Sequence, residues 1–436
     1  MEILHLFFFI AASVCFQFVI LVTINDRLTS VFNLQIIDMM FLVSLFRIGC
    51  IIGAVSGGVI VRYFGPKKVI MLTAIPTSLS WMPIIFATNA WELCMGRFFF
   101  GLFCSIATPG VVVYIAESVS PHIRGIMMTS SLILTLFGVL LAYSVGYVLR
   151  WKMQAVIQSV LPLVQLAVAF FPESPRWLVM KKKPDKAKRS LLRLRSQKQG
   201  VSKELEEMML NMQKNNEENW SDLFQVKYLK PLFIVFCNTY FLDFNGYFFM
   251  SSFMVIIFQE SGGMVMEETL ATVLVGIFQF FGIIVSAVTI DRYGRRPLMI
   301  TSLLGMGLTQ SALALYYYLH FFVPKLDIDA FEWMPLASVL ITATFYAIGI
   351  GNLYWMLFGE LFPLKIRSMA SGISTAWNSV LMFIVLQSFF FLKKLLTLPG
   401  LFAFSSFNCF LGVAFTYKFL PETLNMPLEE IEALWK

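Results

Sequence analysis

What most constrains this chain is a ladder of long apolar runs. A bilayer's hydrocarbon core, about 30 Å thick, takes roughly 20 apolar residues of helix to cross. On that ruler spans fall near 3–24, 38–61, 69–88, 93–115, 127–149 and 153–171. After a polar stretch, six more are expected near 231–257, 270–290, 297–319, 334–357, 369–392 and 399–420. In lipid every backbone N–H and C=O needs an internal partner. The fold class to expect is therefore an all-α membrane protein of 12 transmembrane helices, six in each half. Composition agrees. Of 436 residues, 58% are hydrophobic and 14% charged, more apolar surface than a water-soluble chain of this length can bury. The start, "MEILHLFFFIAASV", lacks a basic leader and a small-residue cleavage site, so it reads as span 1 rather than a removed signal.

The charges follow topology. "RYFGPKK" (62–68), "KKKPDKAKRSLLRLR" in the 172–230 loop, "DRYGRRP" (291–297), "PHIRG" and "PLKIR" all fall on one side of the ladder. The excess of Lys and Arg assigns that side, and both termini, to the cytoplasm; Lys393 and Lys394 are a minor exception. A net charge of +7 confined to such loops does not point to nucleic acid. The expected partners are the lipid bilayer and a small-molecule substrate, with the chain acting as a monomer in the plasma membrane. The six cysteines are irregularly spaced without a CxxC pair, and His5, His122 and His320 are scattered. No phosphate loop or metal-ligand cluster is present in the sequence, so neither an enzyme nor a cofactor is expected.

The chain divides at its polar stretch. Residues 1–171 form one six-helix half, 172–230 a cytoplasmic loop, 231–420 the second half and 421–436 a tail. In the loop, Ala187, Leu191 and Leu194 recur at helical spacing between basic residues, and an acidic helix is expected near 203–214. A solvated linker is the alternative reading of the same charge density.

The halves repeat one another. "ESVSPHIR" (117–124) and "ELFPLKIR" (360–367) both set Glu seven residues before Arg. "RYFGPKK" is echoed by "DRYGRRP", and "FPESPRW" (171–177) by "LPETLN" (420–425). Parallel six-span repeats place a site between the halves, near mid-membrane. These motifs, with "GR" at 96–97, resemble the sugar porter family of the major facilitator superfamily. The blocks "VGIFQFFG…IDRYGRRPLM" and "WMPLAS…GELFPLKIRS" are most similar to insect facilitated trehalose transporter-like proteins. The resemblance covers nearly the whole chain from span 2 onward. It implies the major facilitator fold and facilitative, alternating-access movement of a sugar such as trehalose or a hexose.

By the same resemblance Arg97, Glu117, Arg124, Asp291, Arg295, Arg296, Glu360 and Arg367 form inter-helix ion pairs that hold an inner gate. Partly exposed pairs cost little to break, which suits a switch. The plainer alternative is that they merely cap helix ends on the basic side. One departure stands after span 2. The family's acidic position is Arg62 and its first basic position is Pro66, which should bias the carrier toward inward-open states.

Sugar sites need many neutral hydrogen-bonding groups and flat aromatic faces. Carried over by resemblance, the substrate contacts are Asn378 in span 11, Trp355 in span 10 and Gln279 in span 8, the last replacing an asparagine. The span 10 hinge prolines become Asn352 and Tyr354, and a span 5 glutamine becomes Leu132. Span 7 departs most. The family's "QQ-x-x-G-x-N" falls on Leu242, Asp243, Gly246 and Phe248, so only the glycine is kept. Asn245-Gly246 weakens a helix, and a break is expected there; Asp243, Asn245, Gly246 and Phe248 are therefore candidate substrate residues. Asp243 is a costly charge at mid-membrane depth, and so is Arg47 in span 2. An intramembrane Arg47–Asp243 pair is expected; independent hydration of each is the alternative. Three other functions remain open: a non-transporting solute sensor, a carrier of a less polar solute served by Phe248, Phe249, Tyr354 and Trp355, and a proton-coupled symporter using Asp243.

Overall fold

A computed structural model describes residues 36–118, 121–195, 200–214, 225–259, 268–323, 331–362 and 367–424. The expected span 1 and nearly all of the tail lie outside the described residues. What is described is helical, and eight helices are long and apolar enough to cross a bilayer. Span 2 runs over Ile36–Phe64, span 4 over Ala90–Ser118, span 5 over Pro121–Val148, span 8 over Glu268–Tyr293 and span 9 over Arg295–Phe322. Span 3 is Pro66–Leu79 extended by the short helix Met82–Ile85, and span 6 passes from Trp151–Val160 into 3-10 turns at Leu161–Phe170. Spans 11 and 12 lie in one run, Arg367–Phe419, that leaves helical geometry at Thr397, two residues before Pro399. The chain turns back there, because Asn378 and Ser405, on either side, both meet span 7.

Among the described residues spans 7 and 10 are interrupted, and the reasons are local. Span 7 runs Val226–Asp243, then restarts as Tyr247–Ser252 and Met254–Gln259. At the first break Asn245 donates its amide to the Leu242 carbonyl (2.7 Å) and accepts the Tyr247 N–H (2.9 Å). Gly246 sits in the left-handed region at φ 85°, which a glycine enters without a Cβ penalty. Span 10 breaks at Gly349 between Met334–Ile348 and Ile350–Leu361. There Ser302 of span 9 donates to the Phe345 carbonyl (2.6 Å) and accepts the Ile350 N–H (3.1 Å). One serine thus serves the Ile350 N–H at the interruption and adds a second donor to the Phe345 carbonyl, which also accepts the Gly349 N–H.

Within the first half, span 2 packs on span 4 with glycines at the seam. A Cβ at Gly53 would lie 2.4 Å from the Leu102 carbonyl oxygen, so the two backbones all but touch. The halves meet along two seams. Span 2 lies against span 11, where Gln387 donates to Ser44 (2.7 Å). Span 5 lies against span 8, where Gly276 faces Tyr143 and Leu140, and the rings of Phe137 and Phe280 stand 5.8 Å apart.

The repeated motifs build the same device twice. Gly65 and Gly294, at φ 91° and 90°, precede spans 3 and 9. The free N–H groups of the helix that follows then meet a carboxylate. Glu173 accepts from Lys67 N (3.1 Å), and Glu422 accepts from Arg295 N (2.9 Å) and Arg296 N (3.0 Å). A negative group at a helix N-terminus complements both the free donors and the dipole. The loop after span 6 carries helices Pro175–Met180, Pro184–Leu194 and Val201–Lys214. Leu178, Ala187, Leu191, Val201 and Leu205 form their shared core. They are tied to the bundle by Arg195, which donates to the Ser118 carbonyl (2.8 Å) and pairs with Glu204 (2.7 Å).

Candidate functional site

The two seams enclose an interior onto which several polar residues converge. Asp243 ends the first segment of span 7 and is fully buried. Its two carboxylate oxygens accept from the one amide nitrogen of Asn378, at 3.0 and 3.1 Å. The break in span 7 explains this placement, since the helix stops at the carboxylate rather than carrying it past span 11. Arg47, 8% exposed, faces the same interior from span 2, within electrostatic range of Asp243 and of Tyr346 in span 10. The contact ion pair found among the described residues is Arg195–Glu204, and Arg47 and Asp243 make none with each other. The ion pair expected between them is not formed.

Gln279 in span 8 is buried with its carbonyl oxygen unpartnered. Trp355 and Phe248 are half-buried, and Phe248 packs edge-on to Tyr346 at 5.8 Å. Asn245 and Gly246 take a different role from the one expected of substrate contacts. Asn245 spends its amide on the helix break, and a Cβ at Gly246 would point at Gln310 and Ser405 on spans 9 and 12. Their contacts are with the helix break itself and with spans 9 and 12.

The expectation of an aromatic pocket also divides. Phe249 packs inward on Phe389 (5.8 Å), and Tyr354 is fully buried. The Tyr354 hydroxyl receives the Thr239 hydroxyl (3.1 Å), binding span 10 to span 7. What composition hid is a set of tyrosines. Tyr247 and Tyr346 stack with centroids 4.0 Å apart and planes 13° apart, and Tyr143 of span 5 lies in electrostatic range of Tyr247. The available signal was a tyrosine in mid-span, whose hydroxyl needs a partner that lipid does not supply.

Of the residues expected to gate, Glu117 accepts a hydrogen bond from the Ser174 hydroxyl, linking the end of span 4 to the "PES" motif. Arg295 and Arg296 bind Glu422 through their backbone N–H groups, and the Arg296 guanidinium reaches the Tyr417 carbonyl and lies 5.0 Å from its ring centroid. The side chains of Arg124, Asp291, Glu360 and Arg367 lie outside those described. Arg97 has to be set apart from this group. It lies 20 residues before Glu117 on one continuous helix, about 30 Å away at 1.5 Å per residue. It belongs to the opposite end of span 4 and is buried with Nη2 unpartnered. Arg62 is exposed at the end of span 2, and its carbonyl accepts the Trp177 indole N–H (3.1 Å).

Outside the membrane, burial lifts the Glu173 carboxyl above the ordinary carboxylate range. Hydrogen bonds from the Ser174 and Lys67 N–H groups oppose that rise.

Comparison with known proteins gives a consistent picture. The family model described as "Sugar (and other) transporter" matches residues 9–435. A protein of Apis mellifera ligustica named facilitated trehalose transporter Tret1 is 31% identical over 420 residues, covering 94% of this chain and 82% of the relative. Its Bombyx mori namesake is 32% identical over 395 residues, covering 89% and 77%. Among solved structures, the proton:xylose symporter XylE bound to 6-bromo-6-deoxy-D-glucose superposes with a TM-score of 0.83 at 23% identity, covering 100% of this chain and 98% of the other. An inward-open XylE structure superposes at 0.77, also with 23% identity. At that identity the likeness speaks to fold.

Proposed function

Since the chain belongs to the sugar transporter family, we propose that it carries a sugar passively across the membrane through the interior between its halves. The observation that supports this most is the set of buried polar groups at the break of span 7. Asp243, Asn378 and Gln279 lie there between two helix seams. A polyol crossing lipid must exchange water for such groups, or lose several hydrogen bonds without return. The seams of span 2 with span 11 and of span 5 with span 8 are the surfaces that would open in turn. The breaks at Asn245-Gly246 and Gly349 supply places where spans 7 and 10 can bend. Arg295, Arg296, Glu117 and their motif partners tie helix ends on one side and would release them as the halves rock.

Trehalose and hexoses lead the list of cargo, because the names of the insect relatives give trehalose for those proteins. The chain would act as a monomer in the plasma membrane with both termini in the cytoplasm. The test is uptake of radiolabelled trehalose, glucose and a polyol in cells lacking their own carriers, with surface level measured in parallel. Saturable uptake of one sugar is expected, and surface expression without uptake of any would overturn the reading. Asp243 supports a second reading, proton-coupled symport, because a buried carboxyl between an amide and a distant arginine can carry a proton. Under that reading uptake rises several-fold as the external pH falls from 8 to 6; under passive transport it stays flat.

A further inference from the structure

Two residues of span 10 reach three other spans, and both lie just past its break. Asn352 is buried and donates its amide to the Ser286 hydroxyl of span 8 (2.8 Å). Tyr354, fully buried, accepts from the Thr239 hydroxyl of span 7 (3.1 Å) and donates to the Ser374 carbonyl of span 11 (3.4 Å). By resemblance both positions are expected to be proline, whose side chain could make none of these bonds.

Their places along the helices tie these bonds to the site. Thr239 lies four residues before Asp243 on span 7, and Ser374 four before Asn378 on span 11. Residues four apart share a helix face, one turn or about 6 Å along the axis. The Asp243–Asn378 contact is thus one rung between spans 7 and 11, and the Tyr354 hydroxyl makes a second rung one turn nearer the repeated motifs. Trp355, the next residue, stands edge-on to the Tyr354 ring at 5.2 Å. The segment Ile350–Leu361 then runs on to Glu360 on the motif side. A helix segment that follows a break can swing about it. Tied through two side chains to spans 7, 8 and 11, this one swings only by parting hydrogen bonds buried away from water.

We propose that Asn352 and Tyr354 latch the second segment of span 10 and set how fast the carrier releases its cargo on the motif side. Both are positioning residues. The Tyr354 ring holds Trp355, and the Tyr354 hydroxyl and the Asn352 amide hold the segment. Release parts the Thr239–Tyr354 and Asn352–Ser286 contacts, so the latch slows turnover while cargo affinity is set elsewhere. This rests on the sugar-carrier reading.

The test uses the purified full chain in proteoliposomes with labelled trehalose and labelled glucose, and reads turnover and KM separately. Tyr354→Phe keeps the ring against Trp355 and removes the hydroxyl. Thr239→Val removes the same contact from span 7, and Ser286→Ala removes the contact to span 8. Each should raise turnover about two- to tenfold, the worth of one ordinary hydrogen bond, with KM held within about twofold. Tyr354→Phe combined with Thr239→Val should be no faster than Tyr354→Phe alone, whereas Ser286→Ala should multiply with either. Tyr317→Phe is the reference, because it takes a hydroxyl from an equally buried tyrosine whose bond to the Ile257 carbonyl (3.0 Å) joins span 9 to span 7; turnover should not change. Turnover in Tyr354→Phe that is unchanged, or lowered together with the melting point, overturns the latch and leaves a sugar carrier intact. A rise of equal size in Tyr317→Phe overturns it too, since general loosening would give that. So does a raised KM at unchanged turnover, which assigns the hydroxyl to the cargo. If Tyr354→Phe fails to fold, Thr239→Val cuts the same contact and decides. No uptake of either sugar by the unmodified protein removes the carrier reading and the latch with it.

Discussion

The break in span 7 makes a prediction whose size can be worked from distances. In Gly246→Ala the new Cβ would lie 2.5 Å from Oε1 of Gln310 and 2.8 Å from Cβ of Ser405, with the backbone at φ 85°. Holding alanine in the left-handed region costs about 1–2 kcal/mol. Forcing a methyl group into closed packing costs about 1–3 kcal/mol more. Gln310 cannot swing away freely, because it is fully buried and donates to the Asn245 carbonyl. The expected loss is about 2–5 kcal/mol. Two other glycines separate the terms. Gly200 has φ 100° but open space around its Cβ direction, so Gly200→Ala should cost about 1–2 kcal/mol from backbone strain alone. Gly372 lies within a helix and its Cβ would meet nothing nearer than 3.9 Å, so Gly372→Ala should gain about 0.5–1 kcal/mol. The assay is the thermal midpoint of the three purified variants in one detergent, with uptake measured after reconstitution. Gly246→Ala should melt lowest by several degrees and lose most uptake, since Asp243 sits directly before the break. If Gly246→Ala melts with Gly200→Ala, the close approach to spans 9 and 12 contributes nothing and the reasoning fails.

Three further outcomes are expected. Asn378→Ala removes both hydrogen bonds to a fully buried carboxylate, at about 1.5–3 kcal/mol, so uptake per surface-exposed molecule should fall at least tenfold; unchanged uptake would detach Asn378 from the site. Ser302→Ala leaves the Ile350 N–H without its partner at the span 10 break, and a thermal loss of about 1–3 kcal/mol is expected, which a midpoint equal to the unmodified protein's would contradict. For Glu173 the sign follows from burial, which places the folded-state carboxyl above its unfolded value. Its contribution is then fully present below the unfolded value and is lost as pH rises through the folded one. The unmodified protein should therefore gain on Glu173→Gln as pH falls from 7 toward 4, and the opposite slope in paired melting curves would refute it.

Much of this protein was legible in its order of residues, and the physics says why. A span announces itself because twenty consecutive residues must all tolerate lipid, a constraint read one residue at a time. The repeat was visible for a related reason. Glycine before a helix is a local requirement; the glutamate that reaches the helix N-terminus comes from 106 residues away in one half and 127 in the other, and only the repetition of "RYFGPKK" with "PES" as "DRYGRRP" with "PET" marks it in the letters. The weakness at Asn245-Gly246 was likewise local, since a left-handed glycine and an amide that binds its own backbone act within four residues. Direction was not local. Whether Asn245 faces the cargo or its own turn, whether Tyr354 lines a pocket or ties span 10 to span 7, and which end of span 4 holds Arg97 depend on neighbours far away in the chain. The meeting of Asp243 with Asn378, 135 residues later, is of that kind. So is the absence of a bridge between Arg47 and Asp243: the spacing of the spans put both charges near one depth, but only the packing of the helices decided that no contact pair forms.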